Sequence, residues 1–257
     1  ALPPGATLLG VGVGAPGPLD PRSGMVYAPP HMPGWSAVPL RAMVAESTGL
    51  PVEIGNDANA AALGEWRFGG GRGLDHLVYI TVSTGIGGGV IESGRLLLGQ
   101  QGLGFELGFM ILDAATGTVW EDLASGTALA AAAAAAMARH PETLLHTLAT
   151  PATVSGAHVA TAAAQGDAVA AELMAREAHY LGLGFASCLQ LFGPELILVG
   201  GSVALNNPDL IERARVVAYA HVKVDLYRRV PIALARLGEG AGILGAAALA
   251  LAAFEGP

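Results

Sequence analysis

Short apolar runs that end at glycine alternate with helical segments along this chain, and this alternation constrains its fold more than any other feature. Residues 77–82 and 196–199 are almost wholly apolar, which is typical of strands covered on both faces of a sheet. Helical segments and turns separate such runs, so the sequence predicts an α/β fold. Glycine supplies 37 of the 257 residues, about twice the usual share. These glycines follow no collagen period and indicate turns, helix caps and close backbone approaches.

Charge and cysteine content exclude several classes of protein. The net charge of −8 and the pI near 5.3 argue against binding to nucleic acid, which requires a basic surface. The single cysteine, Cys188, allows neither an internal disulfide nor a Cys-rich zinc site. The seven histidines show no metal-ligand spacing, so no metal-ligating residue is assigned. No apolar segment reaches the roughly 20 residues of a membrane span. The first residues carry no cationic signal region, so we expect a cytoplasmic protein without membrane contact.

A glycine-rich turn is expected between two strand-like runs at residues 82–89. It offers four glycines and the hydroxyls of Ser83 and Thr84. Backbone N–H groups at such a turn can bind phosphate, and the two hydroxyls add further donors. An ordinary hairpin is the alternative. A Walker loop is excluded because the required Gly-Lys-Ser/Thr sequence is missing.

A carboxylate follows another candidate strand, at Asn56-Asp57. At the carboxyl end of a strand, where α/β sheets bind ligands, Asp57 can accept a proton from a substrate hydroxyl. The alternative is that Asp57 is only the N-cap of the helix that follows, a position where Asp and Asn are both favoured.

Two further acids and a glycine pair are candidates for ligand binding. Glu106 and Glu121 accept hydrogen bonds only, so together they suit a polyhydroxyl ligand, but either one taken alone is better explained as a solvated surface acid. Gly200 and Gly201 end an apolar strand, where a flat ligand such as a nucleobase can approach the backbone closely. A plain turn is the alternative there.

Taken together and in order, six segments resemble the ROK family (repressor, open reading frame, kinase), especially its glucokinase-like bacterial members. The resemblance runs from near the first residue to the C-terminal GAGILGAAALA. The segments are GVGVGAPGPLDPRSG (10–24), PVEIGNDANAAALGEW (51–66), VYITVSTGIGGGVI (78–91), FELGFM (105–110), WEDLASGTAL (120–129) and LILVGGSVALN (196–206).

The resemblance implies an actin-like, ribonuclease H-like sugar-kinase fold with two α/β lobes around a cleft. The first part of the chain is rich in strands and the second in helices, which predicts one lobe at residues 1–123 and another at residues 124–257. The first lobe is expected to be incomplete at its start. The implied activity is ATP-dependent phosphorylation of a hexose with Mg²⁺, in a homodimer, with Asp57 as general base. The implied sugar contacts are Asn56, Glu106, Glu121 and, in a loop at the cleft, Gly17. The implied nucleotide contacts are Thr84 and Gly85 at phosphate, and Gly200 and Gly201 beside adenosine.

The chain departs from the family pattern in three places. The family's N-terminal strand pair, with its Asp-x-Gly-Gly-Thr-Lys-like phosphate loop, has no counterpart, so we expect that further residues precede Ala1. A kinase without that loop would hold the phosphates of ATP poorly. Phe109 replaces a sugar-binding histidine, and residues 112–119 replace a Cys-rich zinc segment, so zinc is not expected. Phe109 and the missing phosphate loop support a second hypothesis, a non-catalytic sugar-binding protein or transcriptional repressor of the same family.

Overall fold

Parallel and antiparallel strands share the larger sheet of this protein. The computed structural model describes residues 5–29 and 32–255. Its strands are β1 (Val11–Ala15), β2 (Leu19–Asp20), β3 (Met25–Val26), β4 (Val52–Asn56), β5 (Leu77–Val82), β6 (Ile86–Glu92), β7 (Arg95–Leu96), β8 (Ile111–Asp113), β9 (Thr118–Val119), β10 (Leu196–Gly200) and β11 (Ile232–Leu234). Its α-helices are α1 (Leu40–Thr48), α2 (Asp57–Phe68), α3 (Trp120–Ala124), α4 (Gly126–Met137), α5 (Leu145–Leu148), α6 (Gly156–Ala164), α7 (Ala168–Phe192), α8 (Ser202–Asn206), α9 (Pro208–His221) and α10 (Ala241–Glu255).

The larger sheet has the strand order β11-β10-β5-β6-β7. Strand β10 pairs in parallel with β5 and β11, whereas β6 pairs antiparallel with β5 and β7. On one face, Ile80 of β5 joins a core that includes Trp120 and Phe185. On the other face, Tyr79 packs in a second cluster that includes Ala62 of α2. The sheet is therefore covered on both faces, as the apolar strand pattern predicts.

A smaller parallel sheet pairs β1 with β4, in a register that runs from Val11 opposite Val52 to Ala15 opposite Asn56. The last helix, α10, packs against both strands and against α2. The approach is close, since a Cβ on Gly12 would lie 1.7 Å from the carbonyl oxygen of Ala246. The C-terminal helix thus belongs to the same packing unit as the first strands.

The predicted boundary between residues 123 and 124 does not coincide with a break between sheets. Strand β5 lies before that boundary and β10 lies after it, yet the two strands are hydrogen-bonded neighbours. Helix α10 also returns to β1 and β4. The predicted boundary follows a change in composition along the sequence. Strand pairing ignores that change, because it joins segments more than one hundred residues apart.

Most predicted elements are present with small changes at their ends. The run at residues 8–14 forms a strand only at Val11–Ala15. The loop that follows it contains the short β2–β3 hairpin, which the sequence did not predict. Residues 112–119 lie largely in the β8–β9 hairpin. Cys188 is fully buried, and burial raises the pKa of its thiol to about 12. Within the described part of the chain, we find no helix with the length and hydropathy needed to span a bilayer.

Candidate active site

Two cavities meet at the turn between β5 and β6. One, of about 460 Å³, contains all the acids singled out above and is called the acidic cavity. The other, of about 650 Å³, is called the neutral cavity because none of the described residues that line it carries a charge. Ser83 and Thr84 line both cavities. A group transferred from a ligand in one cavity to a ligand in the other would pass these two residues.

Asp57 lies in the wall of the acidic cavity, where β4 gives way to α2. The N-cap of α2 is Asn56, whose Oδ1 accepts hydrogen bonds from the N–H groups of Ala58 (2.9 Å) and Asn59 (3.1 Å). The alternative that made Asp57 the N-cap is therefore wrong. Its carboxylate is left accessible from the cavity, with Oδ1 accepting one hydrogen bond from the Ala58 N–H at 2.8 Å. Burial raises the pKa of Asp57, and this hydrogen bond opposes the shift.

Glu121 and Glu106 lie in the same cavity as Asp57. Glu121 lies in the first turn of α3, and its Oε2 accepts a hydrogen bond of 2.7 Å from the N–H of Ile86. Glu106 is exposed and precedes a short 3₁₀ turn at Leu107–Phe109. Its pKa is raised by desolvation and by the negative charges of Asp57 and Glu121. The structure thus brings together three acids separated by up to 64 positions in the chain.

The aromatic ring of Phe109 also lines the acidic cavity, with 60% of its surface exposed. None of the described residues that line this cavity is a lysine, arginine or histidine. The cavity therefore combines three hydrogen-bond acceptors that carry negative charge with one apolar platform. This arrangement suits a ligand that has several hydroxyls and an exposed C–H face.

Hydroxyl groups dominate the part of the neutral cavity next to the turn. The Oγ atoms of Ser83 and Ser202 lie 3.0 Å apart. The Thr127 hydroxyl donates to the carbonyl of Thr84 at 2.8 Å, and the N–H of Gly126 donates to the carbonyl of Ser83 at 2.8 Å. These bonds tie the starts of α4 and α8 to the turn. Ser202 and Thr127 were not singled out from the sequence, although each directly follows a glycine inside a quoted motif.

Three predicted residues lie beside the cavities and not in their walls. A Cβ on Gly200 would lie 2.5 Å from the Tyr79 hydroxyl, so Gly200 is required for packing within the sheet. Gly201 has a φ of 86° and approaches the carbonyl of Val82, and the next residue, Ser202, lines the neutral cavity. Gly17 lies beside the Asn56 side chain, because a Cβ on Gly17 would lie 3.3 Å from Nδ2 of Asn56. The other predicted residues all line the acidic cavity, namely Thr84, Gly85, Asn56, Asp57, Glu106 and Glu121.

Comparison with known proteins identifies relatives over nearly the whole chain. Residues 4–253 match the model of the ROK family. A glucokinase of Thermotoga maritima is 35% identical over 247 residues, which cover 93% of this chain and 78% of that protein. A putative xylose repressor of Caldicellulosiruptor sp. is 31% identical over 95% of this chain and 63% of its own length. The fold is similar to that of a ROK family glucokinase from Streptomyces griseus solved with glucose and AMPPNP. That likeness has a TM-score of 0.85 and 35% identity, over 96% of this chain and 83% of the other.

Proposed function

The chain belongs to the ROK family, and from that premise we propose that it transfers the γ-phosphoryl group of ATP to a hydroxyl of a hexose. The observation that carries the proposal is the junction of the two cavities at Ser83 and Thr84, with Asp57 in the wall of the acidic one. The hexose occupies the acidic cavity and ATP the neutral cavity. The Streptomyces griseus relative, solved with glucose and AMPPNP, supports this pairing of ligands.

Asp57 is the general base in this proposal. Its Oδ1 is held by the Ala58 N–H, whereas Oδ2 has no partner among the described residues and can accept the proton of the attacking hydroxyl. A base works best when its pKa is close to the working pH, and burial moves the pKa of Asp57 in that direction. The proton passes to Asp57 as the hydroxyl oxygen bonds to the γ-phosphorus and the bond to ADP breaks.

Glu106 and Glu121 bind the remaining hydroxyls of the sugar. Glu121 is oriented by its bond to the Ile86 N–H, which leaves Oε1 without a partner among the described residues. Glu106 faces the negative charges of the other two acids. A neutral hydroxyl of the sugar can therefore stabilise its carboxylate by donating a hydrogen bond to it. Phe109 contacts the C–H face of the ring. The hexose is thereby held with one hydroxyl directed to Asp57.

Mg²⁺ fits the residues around the junction. Among the described residues that line the two cavities there is no lysine or arginine, so side chains do not balance the charge of the ATP phosphates there. Mg²⁺ takes oxygen ligands, phosphate oxygens among them, and the hydroxyls of Ser83 and Thr84 would supply oxygens beside it at this point. When bound, Mg²⁺ neutralises the charge that develops on the transferred group.

The role of Asp57 is tested by measuring ADP release over a panel of hexoses for the full-length protein and for Asp57→Asn. We expect kcat/KM to fall by about 100-fold or more, which is the usual contribution of a general base. In the parent protein, turnover should fall as the pH is lowered through the raised pKa of Asp57, because the protonated acid cannot accept a proton. Asp122→Asn, at an exposed acid of α3, is the matched control. Equal hexose-dependent turnover in Asp57→Asn and the parent would eliminate Asp57 as the base.

A non-catalytic sugar-binding regulator is the second candidate. The observation that favours it is the 31% identity to the putative xylose repressor. The matched region covers only 63% of that repressor's length. Titration calorimetry separates the two candidates. A kinase binds both a hexose and AMPPNP and releases ADP from ATP, whereas a regulator of this kind binds the sugar and shows no turnover.

A further inference from the structure

A third cavity, of about 380 Å³, lies between α4 and α7 and is called the arginine cavity. Its α4 wall is made of alanines, including Ala132 and Ala136, whose short side chains leave open space beside the facing helix. Arg139 and Arg176 lie at this cavity, in a protein whose net charge is −8. It shares no lining residue with the acidic or the neutral cavity. The cavity volume falls in the range of about 300–1,000 Å³ that is usual for small-molecule sites.

The guanidinium of Arg139 is not used to stabilise the end of α4. Two of the last carbonyls of that helix have other partners. The carbonyl of Ala136 accepts from the N–H groups of Arg139 and His140, both at 2.9 Å. The carbonyl of Met137 lies 3.1 Å from Nε2 of His146. Within residues 5–29 and 32–255, the Arg139 side chain has no hydrogen-bond or ion-pair partner, so its donors are free to bind a ligand.

Arg176 lies over an aromatic ring, and no acid among the described residues forms an ion pair with it. Its Cζ lies 5.0 Å from the centroid of the Tyr180 ring, a stacking geometry that leaves the N–H edge of the guanidinium free. Glu172 lies one turn earlier on α7 and lines the same cavity. In the part of the chain that the structure describes, Glu172 and Arg176 form no ion pair. The cavity thus offers two sets of charged donors and one separate carboxylate acceptor.

We propose that the arginine cavity is a second ligand site, which binds a sugar phosphate. The phosphate monoester contacts Arg139 and Arg176, because the planar fork of arginine matches phosphate oxygens. Glu172 repels a bare anion but accepts hydrogen bonds from hydroxyls, so it selects a phosphate that carries a polyhydroxyl body. The C–H groups of that body lie on the alanine wall. The choice of a sugar phosphate rests on the proposed function, whose product it is, while the preference for an anion rests on the arginines.

The test is calorimetric titration of the full-length protein with glucose 6-phosphate. Because the product also fits the acidic cavity, the titration is repeated in Asp57→Asn/Glu121→Gln, where the second site is intact. We expect binding to persist in that variant and, when Arg139→Gln and Arg176→Gln are added to it, to weaken by about tenfold for each arginine removed. Arg72→Gln/Arg95→Gln removes the same charge at exposed positions outside the cavity and should leave binding unchanged. Unchanged affinity in Arg139→Gln/Arg176→Gln would overturn the proposal.

Two further measurements keep the outcome unambiguous. The single variant Arg139→Gln, at an exposed residue, replaces the double variant if the latter has a lowered thermal midpoint. Inorganic phosphate is titrated in parallel, and affinity equal to that of glucose 6-phosphate would refute the role of Glu172 and the sugar. Neither titration depends on turnover. Loss of hexose-dependent ADP release with intact glucose 6-phosphate binding would therefore count against the proposed function and not against this site.

Discussion

A buried carboxyl group should make the stability of this protein depend on pH. Glu177 lies on α7 with no exposed surface, and neither of its carboxylate oxygens has a hydrogen-bond partner among the described residues. Desolvation raises the pKa of Glu177 to about 8, although the positive charge of Arg176 opposes the shift. At neutral pH the folded protein therefore holds Glu177 mainly as the neutral acid.

The sign and size of the effect follow from the two pKa values. In the unfolded chain the pKa of Glu177 is near its ordinary value of 4.5. Between that value and about 8, the folded state binds one more proton than the unfolded state. The free energy of unfolding should consequently fall as pH rises through this interval, by about 5 kcal/mol in total. Glu177→Gln keeps the shape of the side chain and stays neutral, so it should lose this dependence.

Urea unfolding at about pH 5 and about pH 9 measures the difference. Tryptophan fluorescence is a suitable probe because Trp120 is fully buried. The parent protein should lose several kcal/mol more than Glu177→Gln over this range, and the two should have similar stability at the lower pH. Glu172→Gln, at an exposed position of the same helix, should behave like the parent. If the parent and Glu177→Gln lost the same stability, the reasoning from burial would be refuted.

Two further predictions concern helix packing and capping. Gly184→Ala should lower stability by about 1–3 kcal/mol, because the new Cβ would lie 2.1 Å from the Trp120 ring. Gly242→Ala, where the Cβ meets no atom within 4 Å, is the control in thermal melts, and equal midpoints would contradict the packing argument. Asn56→Ala removes the acceptor for two N–H groups at the start of α2 and should cost about 1 kcal/mol, or about 2–4 °C in midpoint. Asn56→Ser keeps a capping oxygen, so it should regain most of the stability that Asn56→Ala loses. Equal midpoints for the Ser and Ala variants would contradict the capping role.

The sequence predicts the strands and most helices well because their signals are local. The apolar runs and the glycines that follow them lie within a few residues of each other, as at Leu77–Val82. The choice between Asn56 and Asp57 as N-cap is different. Both residue types are favoured at that position, so only the backbone of β4 decides which of them begins the helix. That decision matters for our proposal, because it leaves Oδ2 of Asp57 without a partner among the described residues.

Non-local contacts are the part that the sequence does not reveal. The pairing of β5 with β10 and the return of α10 to β1 join distant segments, so a boundary drawn from composition misses them. Arg139 and Arg176 lie 37 positions apart and belong to no motif. Their approach depends on the packing of α4 against α7. The three acids of the acidic cavity can be grouped from the sequence only through their resemblance to a family pattern.

The glycine at position 85 of the turn is required by contact with an acid that lies far away in the sequence. Gly85 does not have a positive φ, so the backbone conformation of the turn does not require glycine there. A Cβ at this position would instead lie 2.2 Å from Oε2 of Glu121. The same oxygen accepts the N–H of Ile86, the next residue of the turn. A larger residue at position 85 would force the Glu121 carboxylate to move, and with it the oxygen that accepts this bond. The turn at the cavity junction and the carboxylate that binds the sugar in our proposal therefore cannot vary independently.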